Sequence, residues 1–515
     1  MTNVASRTSV GFETGFADQR KEIAIKSLEV QGKIPQWPSG TLIRNGPARF
    51  RLDDKTLNHW FDGLAMLHKF DITAGRVGYA NRFLDSPARR ADEDGKMAYS
   101  EFATDPCRSL VKRITQIFTG SGVGANANVT IGQIADQFVA QTESPMRVAF
   151  DSRTLDTIGV VGFDDQLKGA ITTAHPHHDP DERAAYNYLL NFGTATAYDF
   201  YRLPDGSKTR EVFGHSTTKR PSYMHSFALS GQYAILMELP LVVNPLRLLL
   251  SGKPFIANYR WEPERGTHFT LVDRRTGEVS RAHTNEAWFG FHHVNAVDRD
   301  GQDGVVDLDI VVCPSADVAQ HYFLSSLLDR PNHNVYPPSE LRRFTINAQT
   351  GTVASRTLVN HSAELPRINY AKFNTKPYRY KYANGIATQG ESVFLDTIIK
   401  ADVTTGEVQQ WHYDNHFPGE PVFIPRLDAT VEDDGVLLTV VLNADQNTSY
   451  LLLLDAHDLS EIARATVPQH IPFGFHGSFF ANSRQCNCLG IQRGAPDHSG
   501  PYDSYAAALV PAPPP

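Results

Sequence analysis

One turn signature returns seven times along this chain, and that recurrence limits the possible folds more than any other feature. It reads FDITAGRV from Phe70, FDSRTLDTI from Phe150, RLPDGSKT from Arg202 and VDRRTGEV from Val272. INAQTGTV from Ile346, ADVTTGEV from Ala401 and LDAHDLSEI from Leu454 complete the series. Each is a strand, an Asp or Asn, a Gly-containing or polar turn, and a second strand. Asp or Asn with Gly supplies the positive φ that tight hairpins need. Flanks such as VVDLDIVVC, GVLLTVVL and SYLLLLD are short and rich in β-branched and aliphatic residues. Single hairpins also occur in sandwiches and barrels. Seven of them, roughly 50 to 80 residues apart, suit an all-β, seven-bladed β-propeller with long loops and short helices capping its axis. No low-complexity linker divides the chain, so residues 1–515 read as one such domain.

Composition narrows the partners. Of the 515 residues 41% are apolar and 21% charged, which fits a globular protein with a large core. The net charge of −8 and the lack of a long basic tract argue against a nucleic-acid surface. Cys107, Cys313, Cys486 and Cys488 are too few for a disulfide framework, and Cys486-Asn487-Cys488 has the wrong spacing for a zinc knuckle. The N-terminal stretch lacks the basic start and apolar core of a signal peptide, and no apolar run is long enough to span a bilayer. These features point to the cytoplasm. The closing PAPPP is too proline-rich for a central strand.

Four of the 20 histidines stand in distinctive settings: His175 in TAHPHHDP, His225 in YMHSFALS, His292 in FHHVNA and His476 in PFGFHGS. They are spread over some three hundred residues, so only folding could gather them. A propeller axis is where side chains from distant blades meet. In this order the four settings resemble those of the carotenoid cleavage oxygenase family. The likeness extends to GTLIRNGPARF near residue 41, HWFDGLAMLHKF from His59, INYAKFNTKPYRYKYANG from Ile368 and VEDDGVLLTVV from Val431. The resemblance selects His175 over His177 and His178 by its His-Pro position. It selects His292 over His293 by the pattern Phe-His, two variable residues, Asn-Ala. His59, His68, His333 and His412 are read as ordinary core or surface residues.

The resemblance implies Fe(II) held by the four imidazoles; imidazole alone suits Fe, Zn, Cu and Ni equally. Four neutral ligands on an octahedral ion leave two positions for dioxygen or water, whereas zinc would tend to close a tetrahedron. It also implies an outer set of carboxylates: Glu143 in AQTESP accepting from His225, Glu364 in AELPRINY from His292, and Glu420 in GEPVFIPR from His476. His175 is then left without a carboxylate partner. The implied reaction is cleavage of one conjugated C=C bond of a carotenoid or apocarotenoid by O2 to two carbonyl products.

Related readings remain open. Stilbene cleavers of the family carry a lysine before the Glu143 position, and NANVTIGQIADQFVAQTE has none; YANRFLDSPAR also looks more like the carotenoid cleavers. A retinoid isomerohydrolase, a non-catalytic carotenoid-binding propeller and a calcium-dependent propeller hydrolase are the further alternatives, the last calling for oxygen ligands. Two apolar stretches suggest peripheral docking on a membrane surface. Residues 107–120, CRSLVKRITQIFTG, place Leu110, Val111, Ile114, Ile117 and Phe118 on one helical face beside Arg108, Lys112 and Arg113. Residues 239–259, LPLVVNPLRLLLSGKPFIANY, read as an apolar insert between two blades, with Cys107 a conceivable lipidation point in the first stretch.

Overall fold

The computed structural model describes residues 11–52, 55–93, 101–104, 126–193, 195–329 and 334–482. Residues 107–120, His333, Cys107, Cys486, Cys488 and the PAPPP tail lie outside them; Cys313 is a free thiol, fully enclosed.

Seven antiparallel sheets form the blades of a propeller. Blades two to six each have four strands, whose innermost members are Thr130–Ile134, His177–Asp179, Ala228–Leu229, His293–Asp298 and Ala363–Arg367. The first and last blades close the ring. Gly477–Ala481 joins the first blade beside Gly40–Arg49, with Arg44 opposite Gly477 and Gly40 opposite Ala481. Glu29–Gly32 pairs with Glu461–Val467 at the rim of the seventh blade. The two chain ends therefore shut the ring at opposite edges of adjoining blades.

All seven turn signatures fall where the pattern placed them, one in each blade. Each joins the third strand to the next one out, as in Leu64–Thr73 to Arg76–Phe83 and Thr267–Asp273 to Val279–Thr284. In five of them, at Asp151, Asp273, Asn347, Asp402 and Asp455, the side chain accepts from turn amides. Asp273 Oδ1 accepts from Arg275 N and Thr276 N at 2.9 Å each, and Asn347 Oδ1 accepts from Gln349 N and Thr350 N at 3.0 and 2.9 Å. The left-handed residue is Gly277 (φ 73°) in one and Gly351 (φ 71°) in another, while Leu155 and Leu459 take that conformation where glycine is lacking.

Blades pack face to face, so their middle strands are covered on both sides. Gly435–Asn443 is consequently a nearly continuous apolar run, and Val305–Val312 is buried almost throughout, its Asp307 and Asp309 included. Leu42 and Phe70 of the first blade meet Val440, Leu451 and Leu453 of the seventh. Ile235 and Leu271 of the fourth blade meet Leu308 and Phe344 of the fifth. A separate aromatic cluster, including Phe16, Trp60, Tyr322, Phe394 and Phe475, comes from loops and short helices such as Asp317–His321. It forms the cap.

The 239–259 insert does not lie between two blades. It connects Tyr233–Glu238 to Thr267–Asp273 within the fourth blade. Leu241, Val242, Val243 and Ile256 are buried, whereas the short helix Pro245–Leu250 leaves Leu246 63% and Leu250 62% exposed. Sequence hydropathy could not separate the two groups, because both are uniformly apolar. Among the described residues no helix is long and apolar enough to cross a membrane.

Candidate metal centre

Each of the four histidines stands just before the innermost strand of its blade, where the chain leaves the cap and enters the axis. His292 and His476 immediately precede His293–Asp298 and Gly477–Ala481; His175 and His225 lie two and three residues ahead of His177–Asp179 and Ala228–Leu229. Their ligand atoms all lie within 4.8 Å of one another. His175 Nε2 is 3.0 Å from His225 Nε2, and His292 Nε2 is 3.3 Å from His476 Nε2. Nitrogens bound at right angles to one ion at about 2.1 Å would stand about 3 Å apart, so the spacing fits a shared cation.

The outer nitrogens set the tautomers. His225 Nδ1 donates to Glu143 Oε1 (2.6 Å), His292 Nδ1 to Glu364 Oε2 (2.5 Å) and His476 Nδ1 to Glu420 Oε1 (2.7 Å). With Nδ1 carrying the proton, each Nε2 turns a bare lone pair inward. Converging lone pairs repel unless a cation lies among them. Burial, reinforced by the neighbouring imidazoles, holds His175 well below its ordinary pKa. Burial likewise lowers His225 and brings His476 to about 4. These three shifts favour the unprotonated imidazole that metal binding requires.

Each carboxylate has its own support. Tyr223 OH donates to Glu143 Oε1 at 2.8 Å. Glu364 Oε2 accepts from the backbone N of Leu365 at 2.9 Å. That contact accompanies a left-handed Leu365 (φ 54°) and a register shift between Glu364 and Arg367. Glu420 is the most heavily held. Oε1 accepts from Arg367 Nε (2.8 Å), and Oε2 from Arg367 Nη2 (3.1 Å) and Gly477 N (2.9 Å), with Arg44 at 4.0 Å. Burial pushes Glu364 and Glu420 upward, but His292 on the first and Arg367 and His476 on the second outweigh it and hold both below the usual carboxylate range. Three carboxylates and two guanidinium groups leave one net negative charge beside the imidazoles. A dication is the natural complement.

His175 has no such acid; its backbone N donates to Thr173 Oγ1 (3.0 Å), whose hydroxyl donates to the carbonyl of His225. The competing histidines point elsewhere. His177 Nε2 donates to Phe227 O, His178 Nε2 meets Asp205, and His293 Nδ1 meets Ser226 Oγ. His59 is enclosed, with Nε2 donating to Ala319 O and Nδ1 accepting from Phe61 N. Arg44, Arg367, Tyr223 and Thr173 were not singled out from sequence, although Arg44 and Arg367 lie inside the quoted GTLIRNGPARF and AELPRINY. Arg367 follows Glu364 closely in the chain yet serves Glu420, a pairing that no local spacing shows.

The imidazoles sit between two cavities. Toward the cap, about 1020 Å3 is lined by Trp60, Phe61, Phe102, Phe291, Tyr322 and Phe475, and reaches His225, His292 and His476. On the other side, about 2010 Å3 of more polar space along the blades includes His175, Arg367 and Tyr370. The walls of the first suit an apolar ligand, held by aromatic faces and edges.

Comparison with known proteins agrees with this arrangement. Residues 16–481 match the family described as Retinal pigment epithelial membrane protein. The mitochondrial carotenoid-cleaving dioxygenase of Mustela putorius furo is 30% identical, over 88% of this chain and 94% of its own length. The beta,beta-carotene 15,15'-dioxygenase of Homo sapiens is 31% identical, over 91% and 94%. A variant of the Synechocystis apocarotenoid oxygenase superposes with a TM-score of 0.82 at 27% identity, covering 93% of this chain and all of that one. The cobalt-substituted form of that oxygenase gives the same score, over 92% and 99%. The histidine-lined axis, the seven blades and these likenesses together make this chain a member of the carotenoid oxygenase family that the Retinal pigment epithelial membrane protein description covers.

Proposed function

We propose that this protein is an Fe(II)-dependent dioxygenase that cleaves a conjugated C=C bond of a carotenoid or apocarotenoid to aldehyde or ketone products. One observation carries the reading: four inward-facing Nε2 atoms beside a cavity lined by aromatic side chains. His175, His225, His292 and His476 are the ligands, and Glu143, Glu364 and Glu420 fix three of the rings. Iron bound there would supply the centre at which dioxygen is activated. The protein's own residues do the remaining work. Three carboxylates keep their imidazoles from turning, and the aromatic walls exclude water and hold the polyene by dispersion. Phe61 and Phe291 lie beside the His225 ring, with centroids 6.2 and 5.4 Å away, so their π-faces are placed to favour electron-poor character in a nearby polyene. Cobalt substitution in the Synechocystis neighbour supports a metal at the corresponding place.

The chain acts as a single propeller unit, and its partners are the polyene, O2 and a membrane surface. Leu246 and Leu250, exposed on a short helix near Phe255 of the cavity wall, suit shallow insertion into lipid, with the protein cytoplasmic and peripherally attached. Anaerobic metal analysis together with oxygen uptake tests the proposal. About one iron per chain, and aldehydes identified by mass after incubation with several polyenes, are expected. Tight pigment binding without products would establish a carrier instead.

A further inference from the structure

Among the described residues that line the aromatic cavity, one acid is not used by the metal centre. Glu143 and Glu364, which also line it, are committed to imidazoles, Asn128 donates to the carbonyls of Phe61 and Gly63, and Tyr322 OH meets Tyr336 OH at 2.7 Å. Glu101 lines the same wall, and its Oε1 is sealed from solvent with no hydrogen-bond partner. A carboxyl in such surroundings is expensive unless something bonds to it.

Its position is tightly held. Asp62 accepts from Ala103 N (3.0 Å) and from Thr104 Oγ1 (2.6 Å), clasping the segment to the turn at Trp60–Asp62. Asn58 Nδ2 donates to Ala103 O at 2.9 Å, Ile256 N donates to Phe102 O at 3.0 Å, and Glu101 N donates to Thr104 O at 2.9 Å. Burial, with Asp62 nearby, pushes the Glu101 carboxyl well above the usual range and so favours its protonated form. A neutral carboxylic acid both donates and accepts one hydrogen bond.

Building on the oxygenase reading above, we propose that Glu101 is a specificity-determining residue that hydrogen-bonds a hydroxyl or carbonyl oxygen on the substrate, so that the cavity selects oxygen-bearing polyenes over pure hydrocarbons. The aromatic walls hold both kinds alike. Only an oxygenated end satisfies the buried acid; a hydrocarbon end leaves it unpaired. Discrimination therefore resides in this one group.

The test offers iron-loaded wild type, Glu101→Leu and Glu101→Gln two polyenes of equal length, one hydrocarbon and one carrying a ring hydroxyl. Wild type should favour the hydroxylated polyene in kcat/KM by roughly 10- to 100-fold. Glu101→Leu should erase the preference, chiefly by raising KM for the hydroxylated polyene. Glu101→Gln, whose amide also donates, should keep most of it. Equal use of both polyenes by wild type, or an unchanged ratio in Glu101→Leu, overturns the assignment. Quenching of tryptophan fluorescence reads binding of both polyenes separately from turnover. If wild type cleaves neither, the oxygenase reading falls, and the binding ratio still decides the role of Glu101. Should Glu101→Leu not fold, the wild-type ratio and the Gln variant decide it.

Discussion

Replacing Glu364 and Glu420 by glutamine, one at a time, should separate two jobs that the carboxylates share. In Glu364, Oε2 accepts both His292 Nδ1–H and the Leu365 N–H. A glutamine carbonyl placed there keeps both bonds and loses only their charge assistance, a difference of about 1–2 kcal/mol. That translates into roughly 5- to 30-fold weaker metal binding with little change in folding. Glu420 differs because both of its oxygens are fully engaged: Oε1 takes His476 Nδ1 and Arg367 Nε, and Oε2 takes Gly477 N and Arg367 Nη2. Whichever way the amide is turned, its NH2 faces two donors, and Arg367 and the 4%-exposed Arg44 lose their buried counter-charge. Breaking a buried pair from one side costs about 3–5 kcal/mol. Glu420→Gln should therefore lower the melting temperature of the metal-free protein by several degrees as well as weaken metal binding, whereas Glu364→Gln weakens binding alone. Thermal melts of metal-free protein and cobalt titrations followed by absorbance measure the two effects. Equal destabilisation by both substitutions would refute the reasoning.

His292→Ala should abolish turnover and reduce bound iron well below one per chain, read by metal analysis; unchanged activity would remove the ligand assignment. Melting of the metal-free protein should fall as pH drops from about 6.5 toward 4. Burial holds folded His59, His68 and His293 near pKa 3 and His177 and His476 near 4, so in that window the unfolded chain binds the extra protons and folding stability is lost, by up to about 1.4 kcal/mol per pH unit for each group. Asp62, raised by burial to about 6, and Glu101, pushed well above its ordinary range, work against this loss without matching the five histidines; a melt flat between pH 6.5 and 4.5 would contradict the burial argument. Leu246→Glu with Leu250→Glu should weaken co-sedimentation with phospholipid vesicles and leave turnover of detergent-solubilised polyene intact. Loss of both together would point to misfolding of the insert.

The blade count was legible because it depends on local chemistry. An Asp or Asn accepting from the amides two and three residues on, followed by a left-handed residue, makes the same hairpin wherever it occurs. Even so, Leu155 and Leu459 show that the pattern survives without glycine when the surrounding sheet imposes the conformation. The 239–259 stretch was misplaced for the opposite reason. Hydropathy records that Leu241 and Leu246 are equally apolar, not that one faces the blade and the other faces outward.

What the linear chain decides here is local: where it turns, which runs are apolar enough to be covered on both sides, and which histidine settings are unusual. What it leaves open is everything set by closure of the ring. Arg367 reaches Glu420 rather than nearby Glu364, Arg44 reaches it from the far end of the chain, and Glu101 Oε1 is left buried without a hydrogen-bond partner. These pairings join residues separated by as many as 376 positions. Their geometry exists only once seven blades share an axis, because a side chain's partner is chosen by proximity in space and by loss of water, neither of which is encoded at any single stretch of sequence.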